Sequence, residues 1–291
     1  MYSMGKNTLT RAAKMVNNWN PAYSKHLRKL SIALSDPSGF VLGVSLVEDL
    51  AAKLADTLDM ISKAATRLET LRIEIEGYRM ALFQAAFAAR GLMFPHVRRL
   101  IVSPSNHYMV DHCPNTTMLA GSDRFGPFGE PKMALVEKAA ALPDLECFAL
   151  RTLWDGALLR LLGHTAMRVR TLLIAGSLGT LQTYESLSEP LLLLPSVEVL
   201  SIPTIVKLDA GIDTSNEDDD TENSARQRRE AEGRVASFVF DRCPGLKELW
   251  FDNAIQVTRI QGERRGSEDG SDGLVWSRAE EIEPPPWVGL I

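Results

Sequence analysis

The sequence predicts a mixed α/β fold in which one parallel strand per repeat alternates with a helical return. Three observations carry that expectation. A short turn-and-strand phrase recurs along the chain, and segments of helical periodicity stand between its copies. The composition, 291 residues with 45% hydrophobic and 24% charged, is that of a chain able to build a large core as one or two domains.

The phrase is clearest in Leu194-Pro195-Ser196-Val197-Glu198-Val199-Leu200-Ser201-Ile202 and in Cys243-Pro244-Gly245-Leu246-Lys247-Glu248-Leu249-Trp250-Phe251. Aligned on proline, the two read Pro, any residue, apolar, two free, Leu, one free, apolar. Phe94 to Val102 fits, and Leu142 to Leu150 fits with Phe148 in the Leu place. Three copies lack the proline: His26 to Ile32, Arg67 to Ile73 and Arg168 to Ile174. Cys113 to Gly121 is a degenerate eighth. Chance supplies about 0.4 windows carrying both the proline and the leucine, whereas three occur, at Pro95, Pro195 and Pro244. The central residues are Leu30, Leu71, Leu100, Leu119, Phe148, Leu172, Leu200 and Leu249, at intervals of 41, 29, 19, 29, 24, 28 and 49. Most lie in or near the period of leucine-rich repeats, roughly 20–29 residues.

The last two apolar positions of each copy are two apart, so on a strand both enter one core while the residues between them face the other way. A strand of this kind cannot bury its apolar face alone. A helix returns the chain, and units stack strand beside strand. The expected fold is thus an irregular leucine-rich-repeat solenoid, a horseshoe with helices on the convex side.

The returns follow in order. Ser45 with Glu48 reads as a capping box, followed by Val47, Leu50, Ala51, Leu54, Leu58 and Ile61 at helical spacing. Tyr78 to Arg90 is a second helix, closed by Gly91. Pro131 opens a third that runs through Leu142. Asp155 caps a short helix that stops at Gly163, and Ser224 caps a helix over 225–241. The domain reading is a segment 1–23, a repeat array 24–260 interrupted by an acidic loop 208–224, and a flexible stretch with a C-terminal cap over 261–291. In that cap Leu274-Val275-Trp276 and Pro284 to Trp287 carry apolar content enough to dock.

Several function classes are disfavoured. A net charge of −5 gives no electrostatic case for nucleic acid or an anionic membrane. The first residues show no secretory pattern, and no apolar run reaches the roughly 18 residues of a membrane span, so a cytoplasmic or nuclear location is expected. Cys113, Cys147 and Cys243 are odd in number and widely spaced, which suits buried thiols rather than a disulfide frame or zinc site. Asn115-Thr116-Thr117 is formally a glycosylation sequon, without export to make use of it.

Candidate chemistry is sparse. His107, Asp111, His112 and Cys113 are the only close group of metal-ligand types, and no second cluster completes a tetrahedral site. Asp218 to Asp220 offer hard oxygens but lack the glycine turn and terminal Glu of a calcium loop. Ala175-Gly176-Ser177-Leu178-Gly179 matches neither a phosphate loop nor a nucleophile turn, and reads as the turn after a strand. His26, His96 and His164 stand beside repeats without a recognisable carboxylate and nucleophile. The expectation is no enzyme, no metal and no cofactor. The rival is an enzyme on a conventional parallel α/β sheet, with a pocket near Gly176.

The units Pro95 to Val102, Pro143 to Leu150, Pro195 to Ile202 and Cys243 to Phe251 resemble the irregular leucine-rich repeats of fungal F-box proteins, in which variants of Cys-Pro-x-Leu-x-x-Leu-x-Leu recur at uneven intervals with acidic insertions. The resemblance spans roughly residues 24–252. It implies a substrate receptor: F-box helices bind the adaptor of a cullin-RING ubiquitin ligase, and the repeats select the protein to be ubiquitinated. The chain departs from the family in its first 23 residues, which hold no Leu-Pro-x-Glu start and are too few for a complete box. Ala12 to Trp19 could supply the last helix of one.

The expected function is non-enzymatic protein binding through the concave sheet. Its surface would comprise Arg72, Glu74, Arg99, Ile101, Cys147, Arg151, Leu173, Ser201, Glu248, Trp250 and Asp252, with Trp250 as the aromatic anchor. Arg99 and Arg151 would pair with acidic groups of the partner. A repeat scaffold unconnected with ubiquitin shares all of these features.

Overall fold

A computed structural model of the chain describes residues 2–7, 19–34, 44–75, 80–122, 130–151, 156–165, 168–175, 184–202, 222–251, 255–259 and 274–278. The fold is mixed α/β, and its strands pair mostly in parallel. The chain divides into two compact units, Met1–Leu145 and Glu146–Ile291.

The first unit holds five parallel strands in sequence order: β1 (Tyr2–Asn7), β2 (Lys29–Leu34), β3 (Thr70–Ile75), β4 (Arg99–Val102) and β5 (Met118–Gly121). Between them run α1 (Val44–Ala64), α2 (Met80–Arg90) and two 3₁₀ segments, Pro21–His26 and Pro104–His112; α3 (Glu130–Ala140) follows. In the second unit β6 (Cys147–Arg151), β7 (Thr171–Ala175), β8 (Val199–Ile202) and β9 (Glu248–Phe251) are parallel. Then β10 (Ile255–Arg259) and β11 (Leu274–Arg278) continue the sheet antiparallel. Its helices are α4 (Gly156–Thr165), α5 (Ser188–Leu192) and α6 (Glu222–Arg242). Among the described residues no helix is long and apolar enough to cross a membrane.

The repeat phrase sets the strand register. Leu30, Leu71, Leu100 and Leu119 are lateral partners in the first unit, and Phe148, Leu172, Leu200 and Leu249 in the second. All eight are at most 1% exposed, so each copy drives the same residue into the core. The residue three earlier is buried in every copy, including Thr116 in the degenerate one, whose hydroxyl donates to the Cys113 carbonyl at 2.8 Å. A slip of one position would turn every central side chain to the opposite face.

The proline now has a physical role. In six copies the amide three before the central residue donates to the carbonyl three earlier still: Leu27 to Ser24, Leu68 to Ala65, Val97 to Phe94, Thr116 to Cys113, Val197 to Leu194 and Leu246 to Cys243, at 3.0–3.3 Å. Each bond closes a β-turn whose second residue is the proline position. Proline fixes the φ that this position takes and lacks only an N–H that the turn does not use. The residue before it, Phe94, Cys113, Leu142, Leu194 or Cys243, is buried, while Pro95, Pro143, Pro195 and Pro244 are exposed.

The helices sit near their expected places, with corrections at the ends. In α1 the six residues of the expected apolar stripe, Val47, Leu50, Ala51, Leu54, Leu58 and Ile61, are all buried, but Ser45 lies inside the helix instead of before it. Gly91 ends α2 with φ of 58°, the left-handed conformation that glycine adopts without strain. Helix α4 runs past Gly163 to Thr165. That glycine serves packing: a Cβ on it would stand 2.3 Å from Leu193 Cβ. Ser224 likewise lies within α6.

Three features depart from the expectation. Tyr2–Asn7, within the segment placed outside the repeats, forms a strand on β2. The 3₁₀ segment Pro104–His112 is not foreshadowed by the repeat pattern; buried Asn106 anchors it, pairing with the Ile75 backbone much as a neighbouring strand would. The hairpin of β10 on β9 is likewise unheralded, although Leu274–Arg278 does join the terminal edge as β11. The 12–18 stretch, the acidic run 208–221, the Gly176 turn, Asp252 and Pro284 to Trp287 lie outside the described residues.

Candidate interaction surface

With the central residue and the one two places later in the core, the residues before, between and after them belong to the opposite side of each strand. The repeat pattern leads one to expect an open middle row on that side. Among the described repeat strands, β2 to β9, it is open only in β2 and β3, where Ser31 and Arg72 are half-buried. In β4 and β5 Ile101 and Ala120 are buried, and in β6 to β9 so are Ala149, Leu173, Ser201 and Trp250.

The expected binding residues are corrected accordingly. Trp250 is 1% exposed and cannot anchor a partner from outside. Its indole N–H donates to Glu248 Oε2 at 3.2 Å, the polar partner a buried tryptophan requires. Ile101 and Leu173 are buried for the reason that buries Trp250: their strands are apolar on both faces. Ser201 is buried between Leu173 and Trp250, its lateral partners. Cys147 and Glu74 are buried as well. Arg99 and Arg151 are exposed, and Arg72 and Glu248 are partly so.

Glu74 contacts the one charged residue of the middle row. Its Oε1 accepts from Arg72 Nη2 at 2.7 Å, with the carboxylate fully buried and Arg72 24% exposed. Among the described residues Oε2 has no hydrogen-bond partner. A buried carboxylate so placed needs its guanidinium to offset desolvation, and in return holds the guanidinium in one orientation. Arg72 therefore faces outward as a positioned donor. In the second unit Glu248 Oε2 also accepts from Gln256 Nε2 at 3.0 Å, which ties β10 to the polar end of β9.

The accessible part of the surface lies where the strands begin. In six copies the carbonyl two places before the central residue accepts from two successive amides of the next copy. Arg28 O takes Glu69 and Thr70, Glu69 O takes Arg98 and Arg99, and Arg98 O takes Thr117 and Met118. In the second unit Glu146 O takes Arg170 and Thr171, Arg170 O takes Glu198 and Val199, and Glu198 O takes Lys247 and Glu248. These bonds fix the backbone at the positions whose side chains are charged. The rigid ladder thus presents a rim of solvated charges at strand spacing, about 4.8 Å. On the second unit's rim Lys247 Nζ meets Glu198 Oε2 at 2.7 Å. That hydrogen bond, with the charges of Lys247 and Arg170, holds the Glu198 carboxyl below its ordinary range.

The metal-ligand types near residue 110 have structural partners. His107 Nδ1 contacts the Pro104 carbonyl at 3.2 Å and His112 Nδ1 the Leu92 carbonyl at 2.8 Å, while Asp111 accepts from Lys138 Nζ on α3. Burial pushes the Cys113 thiol far up and the Cys243 thiol up to about 11. Among the described residues no group of three or more metal-ligand side chains converges. His164 Nδ1 contacts the Arg160 carbonyl in its own helix; His26 and His96 are exposed on the first unit's rim.

No protein-family model matches the chain, and no curated protein matches it.

Proposed function

We propose that the chain is a non-enzymatic protein-interaction module, an irregular leucine-rich-repeat solenoid resembling the substrate-selecting part of an F-box subunit of a cullin-RING ubiquitin ligase. The observation that supports this reading is the recurrence of one turn-and-strand unit in register, with the central residue buried and strand-entry side chains solvated in copy after copy. A repeat fixes backbone and leaves outward positions free to vary, which suits recognition of an extended partner surface. The partner would meet the rim and the open strands β2 and β3, with Arg72 and Arg99 contributing directed donors. Trp250 contributes from within the core, through packing and its hydrogen bond to Glu248.

The test is affinity purification of the tagged full gene product from its own cells, with identification of stoichiometric companions. Recovery of the cullin adaptor with one further protein is the expected result. A stoichiometric protein without the adaptor retains the interaction module and removes the ubiquitin role. Absence of any stoichiometric protein, combined with turnover of a small molecule, overturns the reading.

A further inference from the structure

The strand-entry rim of the first unit differs in charge from that of the second. Over the strand-entry positions of β2 to β5, residues 25–29, 66–70, 95–99 and 114–118, stand six basic side chains, Lys25, Arg28, Lys29, Arg67, Arg98 and Arg99, against the single carboxylate of Glu69. All seven are exposed. Exposed His26 and His96 lie among them. Among the described residues none of the six basic groups takes part in an ion pair. Arg98 Nη1 donates instead to the Asn115 carbonyl at 3.1 Å. The equivalent positions of β6 to β9, Asp144, Glu146, Arg168, Arg170, Glu198, Lys247 and Glu248, carry four acidic and three basic charges. The chain as a whole is at −5. A local excess of positive charge on an acidic protein, held at fixed spacing with one carboxylate among six basic groups, costs self-repulsion that the fold itself does not require.

We propose that this rim is the docking surface for an acidic, extended segment of a partner protein. The inference rests on the interaction reading above and supplies the partner's chemistry. Lys29 and Arg99 flank Thr70 in register, so their backbones stand two strand spacings apart, about 10 Å. A peptide in the extended polyproline II conformation rises about 3.1 Å per residue with three residues per turn, so carboxylates three residues apart fall on one face about 9 Å apart, close to that distance. Arg28 and Arg98 repeat that spacing one residue earlier along their strands, joined through the Glu69 backbone. Arg72, oriented by Glu74, stands on the strand between Lys29 and Arg99, on the same sheet face. Nucleic acid suits the rim less well. The basic track ends at β5, because Pro114 to Met118 carries no charge. A polyanion with one charge per about 1.7 Å would run on past it over an acidic protein.

The experiment measures fluorescence anisotropy of a labelled peptide of about twelve residues, Glu-Gly-Ser repeated, against the full chain at about 50 mM salt, where surface charges are least screened. A rim variant carries Lys29→Glu, Arg67→Glu, Arg98→Glu and Arg99→Glu. A control carries Arg226→Glu, Arg228→Glu and Arg229→Glu at exposed positions of α6. The expected result is binding by the wild type and the control, at least about tenfold weaker binding by the rim variant, and weakening as salt rises. Circular dichroism checks the variant's fold, and Lys29→Gln with Arg99→Gln replaces it if the fold is lost. Equal binding by the rim variant, no binding by the wild type, or tighter binding of an oligothymidylate of equal length overturns the inference. If a partner captured from cells stays with the rim variant, the rim inference fails while the interaction reading stands. If the peptide binds as expected but no protein is captured, the interaction reading fails instead.

Discussion

Gly163 offers a sharp test of the packing described for the second unit. Replaced by alanine, its Cβ would lie 2.3 Å from Leu193 Cβ and 3.1 Å from the Leu193 carbonyl oxygen, against a carbon–carbon optimum of about 3.5–4.0 Å. The segment after α5 must then withdraw from α4 by more than about 1 Å. Such overpacking costs about 1–3 kcal/mol, while alanine's better helix propensity returns about 0.8–1 kcal/mol. The net expectation is a loss of about 0–2 kcal/mol, against a gain where no clash exists. Gly233, in the interior of α6, supplies the control, because a Cβ added there would meet nothing within 4 Å. Gly233→Ala should therefore gain about 1 kcal/mol. Urea denaturation followed by circular dichroism reads both, and Leu193→Gly combined with Gly163→Ala should recover part of the loss in a double-mutant cycle. A Gly163→Ala protein as stable as the Gly233→Ala protein would refute the close approach of α4 to Leu193.

Three further outcomes are expected. Asn106→Ala should cost about 2–5 kcal/mol in the same denaturation assay, because it orphans the Ile75 N–H and carbonyl and the Ser103 hydroxyl; an unchanged midpoint would contradict the bridging role. Cys113 and Cys243 should resist a thiol reagent at pH 8 in the folded chain, since burial raises both thiols and leaves Cys243 about one part in a thousand ionised, whereas denaturant should release full labelling. Glu198 titrates below an ordinary carboxyl, so its pairing with Lys247 stabilises the fold above the unfolded carboxyl pKa and is lost as pH falls through the lowered folded value. Lys247→Met should raise the Glu198 carboxyl toward its ordinary range in a carbon-13 NMR titration, and an unmoved pKa would count against the pair.

What the residues disclose in advance follows from what repeats. The eight central positions are legible because strand burial has a period of two and because proline marks a turn of fixed geometry. Strand β1 is hidden: Tyr-Ser-Met-Gly-Lys-Asn has neither alternation nor β-branched residues, and it gains strand form from backbone pairing to β2. Asn106 is hidden too, since one amide bridging the backbone across 31 residues leaves no local pattern. The repeat pattern overstates the open face although a contrary signal is present. Leu100-Ile101-Val102, Leu172-Leu173-Ile174 and Leu249-Trp250-Phe251 are continuous apolar runs, the mark of strands buried on both faces, whereas Leu30-Ser31-Ile32 and Leu71-Arg72-Ile73 alternate. Taken that way, the runs leave β2, β3 and β8 as alternating strands, and of these the structure closes β8, where Ser201 lies between Leu173 and Trp250.

Chemical footprinting of arginine and lysine tests the functional account most directly. The chain would be modified with phenylglyoxal and an acylating reagent, alone and in complex with its captured partner, and modification would be read residue by residue by mass spectrometry. The expected result is labelling of Lys25, Arg28, Lys29, Arg67, Arg98 and Arg99 in the free chain and protection of these in the complex, with Arg226, Arg228 and Arg229 labelled in both. Protection confined to α6, with the rim labelled equally in both states, would contradict it.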